Sequence, residues 1–487
     1  MASISLYTPP SNPYNRDVVS FPRSRHSCTV PFKTSFFGSK LPGKTLSISN
    51  HNAPKLRTQP VISASTHTYD VVIIGAGIIG LTIARQLLVG SDLSVAVVDK
   101  AVPCSGATGA GQGYIWMAHK SPESDTWSLT MRSHELWRMF AESIRDQGLN
   151  PLEVLGWKKT GSLLVGKTPE ETKVLKMKVK MLSEAGLRAD YLSSYDLKLE
   201  EPALEVGEAG GAAFLPDDYQ LDAQRAVAFI EKCNRHFALK GRYAEFYHDP
   251  VTSLLRSSST GEVEAVQTSK TTLYSKKAIV VAAGCWSGSL MHDLFSDSDT
   301  AIHVPVKPRK GHLLVLENFS SLKLNHGLME AGYVGHRAAG MKTSSSASGS
   351  VDHGRTLSVS MTATMDSVGN LVLGSSREFS GFSTEVDESI VGHIWKRAGE
   401  FFPKLKELSL GDLIMNRKLR IGLRPYMPDG KPVIGPVPDF SKVLIATGHE
   451  GGGLSMALGT AEMVADMVLG NPGTIDHAPF AVHNRCC

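Results

Sequence analysis

Gly75-Ala76-Gly77-Ile78-Ile79-Gly80 follows an apolar run at 71–74 and precedes a helical pattern, a second apolar run at 95–98, and Asp99. Residues of these types at this spacing hold the pyrophosphate of a dinucleotide. Gly75 permits the tight turn, Gly77 lets the backbone approach the pyrophosphate, and Gly80 lets the helix lie close to the sheet. Ile78 and Ile79 open that helix, whose N-terminus presents N–H groups and a partial positive charge. Asp99, nineteen residues beyond Gly80, is placed to accept from a ribose hydroxyl. In a chain with 45 glycines a bare G-x-G-x-x-G arises by chance, and the strand–helix–strand frame ending in an acid is what makes this one specific. The motif by itself leaves NAD and FAD open.

Three later segments favour FAD. Val281-Ala282-Ala283-Gly284, with Cys285 and Trp286 behind it, ends a buried strand in small residues that let backbone pass close to a cofactor. Gly448-His449-Glu450-Gly451-Gly452-Gly453-Leu454 opens a second glycine-rich helix, and a helix N-terminus can stabilise negative charge on a reduced flavin. Nicotinamide needs no such device. Between them, Gly422-Leu423-Arg424-Pro425-Tyr426 leads into the Pro428-Asp429-Gly430-Lys431-Pro432 turn, which carries Arg424 towards the second glycine loop.

The elements that must position these residues do not form a single alternating series. Helical patterns at 126–147, 169–185 and 223–237 are interrupted by a strand and turn at 211–222. The run at 277–284 reads as a strand buried on both faces, and 311–316 and 371–374 as antiparallel strands. A Ser/Gly-rich stretch at 341–354 reads as a flexible insertion. The strand at 444–447, the 448–453 loop and a helix at 454–469 return to nucleotide-fold character. The chain therefore leaves its nucleotide-binding domain and re-enters it.

Residues 1–68 form a different compositional block, with eight basic residues, one acid (Asp17) and twelve serines. This composition reads as an organelle transit peptide for the chloroplast, with the mitochondrion second, and 61–64 as a processing region. From Tyr69 onward 43 basic residues stand against 46 acidic ones, a net charge of about −3, so the chain's formal +4 belongs to the leader. Nothing in that balance calls for nucleic acid as a partner, and no segment reads as a membrane span. Cys104, Cys233, Cys285, Cys486 and Cys487 match no zinc or disulfide framework, and no metal is expected.

Taken together, the opening glycine motif, Thr108-Gly109, Pro216-Asp217-Asp218 with Leu221-Asp222, Ala282-Ala283-Gly284 with Trp286, Gly-Leu-Arg-Pro at 422–425 and Gly-His-Glu-Gly at 448–451 carry a resemblance. The chain resembles the D-amino acid oxidase and glycine oxidase superfamily of FAD-dependent amine oxidoreductases from Tyr69 to about Leu469. Its Gly-His-Glu-Gly loop is more similar to glycine-oxidase-like, opine-oxidase-like and cyanide-forming dehydrogenase subunits than to peroxisomal D-amino acid oxidases. The resemblance implies an α/β fold: a Rossmann-like FAD-binding domain of glutathione-reductase type, with a second α+β substrate domain on an antiparallel sheet. It divides the chain into a leader at 1–64, an FAD-binding domain at 65–150, 222–300 and 416–480, a substrate domain at 151–221 and 301–415, and a tail at 481–487. It implies non-covalent FAD held by 75–80, Asp99, Lys100, Thr108, Gly109, Gln112, Val251, Ala283, Gly284, Trp286 and 448–454.

The same resemblance makes Arg424 the group that clamps a substrate carboxylate, with Tyr333 and Tyr426 as candidate hydroxyl contacts. The implied reaction oxidises the C–N bond of glycine, a D-amino acid or an N-substituted amino acid by hydride transfer to flavin N5. The resulting imine hydrolyses to an oxo-acid. Oxygen is one acceptor; a quinone or protein partner, with the chain as a dehydrogenase subunit or a possible oligomer, is the alternative.

Overall fold

The computed structural model describes residues 65–295, 302–332, 357–483 and 485–486. The leader at 1–64, Tyr333, the insertion at 341–354 and Cys487 lie outside the described residues.

The first of two large sheets runs in the order Val433–Val437, Phe440–Thr447, Thr271–Val281, Ser65–Ile74, Val95–Val98, Tyr243–Phe246, and two further strands, Val251–Arg256 and Val263–Thr268, join it beside Thr271–Val281. Pairing is parallel between Phe440–Thr447, Thr271–Val281, Ser65–Ile74, Val95–Val98 and Tyr243–Phe246. The strands read as near-continuous apolar runs because both faces are covered. Val71, Ile73, Val95, Val97 and Val280 enter one core, shared with the helices Ile78–Gly90, Ala223–Arg235 and Gly453–Leu469. Their neighbours Val72, Ile74, Ala96, Val98, Ile279 and Val281 enter another, closed by Met291, Phe295 and Phe440.

The second sheet runs Arg417–Tyr426, Lys307–Leu316, Leu371–Arg377, Ser358–Met365, Gly327–Glu330, Ser162–Gly166, Gly211–Leu215, Asp190–Ser193. It is antiparallel apart from the parallel pair Gly327–Glu330 and Ser162–Gly166. Leu314, Leu316, Leu371 and Leu373 share a core with Ile390, Ile394 and Ala398 of the helix Glu388–Gly399. Leu313 and Val315 point to the opposite face, as the two-residue period of a strand requires. That opposite face carries the functional residues.

One sequence expectation needs correction. Residues 416–480 were expected to return as a block to the nucleotide-binding domain, yet Arg417–Tyr426 pairs along the length of Lys307–Leu316 in the second sheet. Pairing over ten positions between segments a hundred residues apart leaves no local mark on either strand. The chain re-enters the first sheet at Val433–Val437, after the Asp-Gly turn.

Asp218, singled out in the Pro-Asp-Asp motif, is a buried joint between segments. Its carboxyl accepts from the N–H groups of Met117 and Ala118 and from Ser162 Oγ at 2.6–3.2 Å. Burial outweighs these three donors and pushes its pKa up to about 7. A carboxyl that ionises later in the folded chain than in the unfolded one stabilises fully below the unfolded value and loses that contribution as pH rises through the folded one. Asp218→Asn is therefore expected to flatten the fall in thermal midpoint between about pH 4 and pH 7. Melting curves across that range test this; an unchanged slope would assign the pH dependence elsewhere.

Candidate cofactor and substrate site

A cavity of about 390 Å³ runs between the two sheets. Its lining brings together Gly75, Gly77, Ile78 and Ile79, Asp99 and Lys100, Thr108 and Gln112, Val251, Ala283, Gly284 and Trp286, Arg424, and His449, Glu450, Gly451, Gly453 and Leu454. Segments far apart in sequence thus face one space. The remaining cofactor candidates, Ala76, Gly80, Gly109, Gly448 and Gly452, do not line it.

The first glycine loop shows why each glycine is needed. Gly75 has φ of +119°, and a Cβ there would sit 2.8 Å from the carbonyl carbon of Ala282. At Gly80 a Cβ would drive into the backbone of Gly75, so helix and loop could not approach. A Cβ at Gly77 would meet only Thr108 Oγ1, at 3.4 Å; the remaining space there is cavity. Thr108 Oγ1 accepts from Ile78 N at 3.2 Å, tying the 105–113 loop to the helix entrance.

Asp99 does more than a ribose contact requires. Its Oδ2 accepts from Ala76 N at 2.7 Å and its Oδ1 from Ala101 N at 2.8 Å. The carboxylate locks the glycine loop, and it still faces the cavity. Lys100 lies 3.9 Å above the Trp286 ring, a cation–π contact across the cavity wall.

At the other end the loop before Gly453–Leu469 is held by its own chemistry. Thr447 Oγ1 donates to Gly284 O at 2.7 Å, which joins the second and third cofactor segments. His449 is buried, its Nε2 lies 3.0 Å from Thr460 Oγ1, and burial pushes its pKa down to about 3. Burial thus favours the neutral imidazole there. Gln112 Nε2 is buried and has no partner among the described residues, although the residue lines the cavity. An orphaned amide donor there fits a polar ligand edge. Cys104 and Cys285 also line the cavity, and burial pushes both thiols up to about 12. Neither supplies a thiolate for covalent attachment near neutral pH.

Arg424 reaches the cavity from the second sheet, half-buried, and its Nη1 donates to Ser376 O at 3.0 Å. The guanidinium lies over Gly311: a Cβ on Gly311 would be 2.6 Å from Arg424 Cζ. Gly422, facing Gly311 across the strands, lets Ala110 of the 105–113 loop come close. The obstacle at Gly311 is the far end of a flexible side chain, so the fold can absorb a methyl there. Gly311→Ala is expected to leave the melting temperature and flavin content unchanged while raising KM for the carboxylate substrate at least about tenfold. An unchanged KM would show that the guanidinium position is immaterial.

Tyr426 is placed differently from its sequence reading. Its ring stands edge-on to Phe379 at 5.2 Å and under the Arg309 guanidinium, and it does not line the cavity. Pairing opposite Lys307 at the end of the strand sets it two residues beyond Arg424, clear of the space Arg424 faces. Tyr333, the other candidate hydroxyl, lies outside the described residues. The structure adds Gly311, Tyr114 and Ser376. Tyr114 lines the cavity, stacked on Trp116 with centroids 3.6 Å apart. None bears a local signal, since their roles come from strand pairing alone.

Against known proteins, a match to the FAD dependent oxidoreductase (DAO) family spans residues 70–467. Hydrogen cyanide synthase subunit HcnC of Pseudomonas aeruginosa is 24% identical over 451 residues, covering 85% of this chain and 95% of its own length. Glycine oxidase of Geobacillus kaustophilus is 24% identical over 420 residues, with 86% and 97% covered. The crystal structure of that Geobacillus glycine oxidase superposes with a TM-score of 0.68 at 23% identity, covering 86% of this chain and 99% of its own. L-proline dehydrogenase from P. horikoshii superposes with a TM-score of 0.69 at 20% identity, with 86% and 98% covered. At such identities the structural likeness establishes the fold.

Proposed function

The chain belongs to the DAO family of FAD-dependent oxidoreductases, and on that premise we propose that it oxidises the C–N bond of a small amino or imino acid: glycine, a D-amino acid or an N-substituted amino acid. The observation that carries the reading is Arg424, a guanidinium presented to the same cavity as both glycine loops. The loop at 75–80, Asp99, Gln112 and the 448–454 loop would hold the cofactor. FAD held there would supply the hydride acceptor for the substrate α-carbon, so that the amino acid would leave as an imine that water hydrolyses to an oxo-acid.

The chain's own part is positional. A planar guanidinium offers parallel donors to both oxygens of a carboxylate, which sets the tilt as well as the place of the substrate. Such orientation contributes several kcal/mol, about 7–11 where the reacting groups are held in near-attack geometry. The helix Gly453–Leu469 aims its N-terminus at the cavity, where it stabilises developing negative charge. The buried thiols support non-covalent attachment.

Anaerobic bleaching of the flavin absorbance by a panel of glycine, D- and N-alkyl amino acids tests the proposal. Bleaching by a member of the panel supports it, and bound yellow flavin untouched by every member would sink it. The likeness to a cyanide synthase subunit favours a second reading for the oxidative half, with electrons leaving to a quinone or protein partner. Reoxidation of the bleached protein by air, or only by an added quinone, separates the two. The basic, serine-rich leader supports a chloroplast location, which import of the full chain into isolated chloroplasts would test.

A further inference from the structure

Arg309 and Arg424 are direct cross-strand partners, so their side chains leave the same face of the second sheet. Like charges so placed repel, and the structure sends them apart. Arg424 lies over Gly311 and donates to Ser376 O. Arg309 turns towards the second glycine loop, where its Nη1 donates to Glu450 Oε1 at 2.8 Å. The Phe379 and Tyr426 rings cover it, 5.5 and 5.2 Å from its Cζ. The pair is well shielded, with side-chain exposures of 14% for Arg309 and 12% for Glu450. Arg309 Nε is buried without a hydrogen-bond partner among the described residues. Glu450 lines the cavity and has φ of +46°, a left-handed conformation in which glycine is the relaxed choice. A carboxylate is thus kept where the backbone disfavours it.

We infer that Glu450 is a built-in carboxylate that occupies the second of two arginine sites, and that it restricts the enzyme to substrates with one carboxylate. The inference rests on the reading of Arg424 as the substrate clamp. An amino acid brings a single carboxylate to Arg424. A dicarboxylic substrate needs a second cation close by, and Arg309, opposite Arg424 across the strands, is set behind Glu450, which lines the cavity in its place. Glu450 already neutralises Arg309, and the Glu450 charge at the cavity wall repels a second carboxylate. Selectivity is built from a repulsive element as well as an attractive one.

The test uses full-length holoenzyme and three acids that cannot be oxidised at a C–N bond: acetate, malonate and succinate. Binding is read from perturbation of the flavin absorbance in wild type, Glu450→Gly, and Glu450→Gly combined with Arg309→Met. Wild type is expected to bind acetate at least about tenfold more tightly than either diacid. Glu450→Gly, which also relaxes the backbone, is expected to shift the succinate-to-acetate affinity ratio towards succinate by about tenfold or more. The Arg309→Met combination is expected to abolish that gain. Should Glu450→Gly fail to retain flavin, the wild-type selectivity and the isosteric Glu450→Gln decide instead. Wild type binding diacids as tightly as acetate would overturn the inference, as would a gain that survives loss of Arg309. Acetate binding with unchanged selectivity overturns this inference alone; absence of any acid binding overturns the Arg424 reading with it.

Discussion

Arg424→Ala is expected to leave FAD bound at the wild-type ratio and to lower kcat/KM for the amino-acid substrate roughly 100- to 1,000-fold. The guanidinium is carried by the strand Arg417–Tyr426 of the second sheet and donates to Ser376 O. Its loss removes a charge-assisted pair to the substrate carboxylate and leaves the cofactor wall intact. Flavin absorbance after desalting measures the first effect, and steady-state kinetics the second. Wild-type kinetics in this variant would remove Arg424 from the site. The pH profile provides a companion test. His449, kept neutral by burial, contributes no ionisation near neutrality. Activity is expected to rise with pH as the substrate ammonium loses its proton, and the same limb should appear in Gly311→Ala.

Gly77→Val is expected to give folded protein without flavin. A side chain at Gly77 meets little protein, only Thr108 Oγ1 at 3.4 Å, and extends into the cavity. The fold tolerates it and a pyrophosphate does not. Gly75→Ala, two residues away in the same motif, is expected to fail for a different reason. It must adopt φ of +119° and place Cβ within 2.8 Å of Ala282 backbone, which bears on the two central strands of the first sheet. The first variant should keep a cooperative melt close to that of wild-type apoprotein. The second should lose several degrees or fail to accumulate as soluble protein. A yellow Gly77→Val protein with full flavin occupancy would overturn the placement of the pyrophosphate on that loop.

The contrast between those two glycines shows where a sequence is informative. Local signals are strong for the β-α-β unit: the apolar run at 71–74, the glycines, the helix Ile78–Gly90 and Val95–Val98 all lie within thirty residues and constrain one another. The helices Trp127–Asp146, Pro169–Glu184 and Gly453–Leu469 were legible from periodicity for the same reason. Asp99 was legible as an acid at the strand end. Its bonds to Ala76 N and Ala101 N were not, because they depend on how the loop folds back. The strand around Arg424 was visible as a strand, but its place in the second sheet was not, since its partner Lys307–Leu316 is chosen by long-range pairing.

By itself, then, the sequence determined the β-α-β unit around the glycine motif, the return of the chain to the first sheet near its end, and the Asp-Gly turn that follows the Arg424 strand. These follow from backbone requirements and turn chemistry that act over a few residues. Only the tertiary structure decided that Gly311 makes room for the Arg424 guanidinium, that Tyr426 packs on Arg309, and that Glu450 neutralises a second arginine. Each is a contact between strands or loops separated by tens to hundreds of residues. Register sets such contacts, and a shift of one residue would turn every side chain on the strand to the other face.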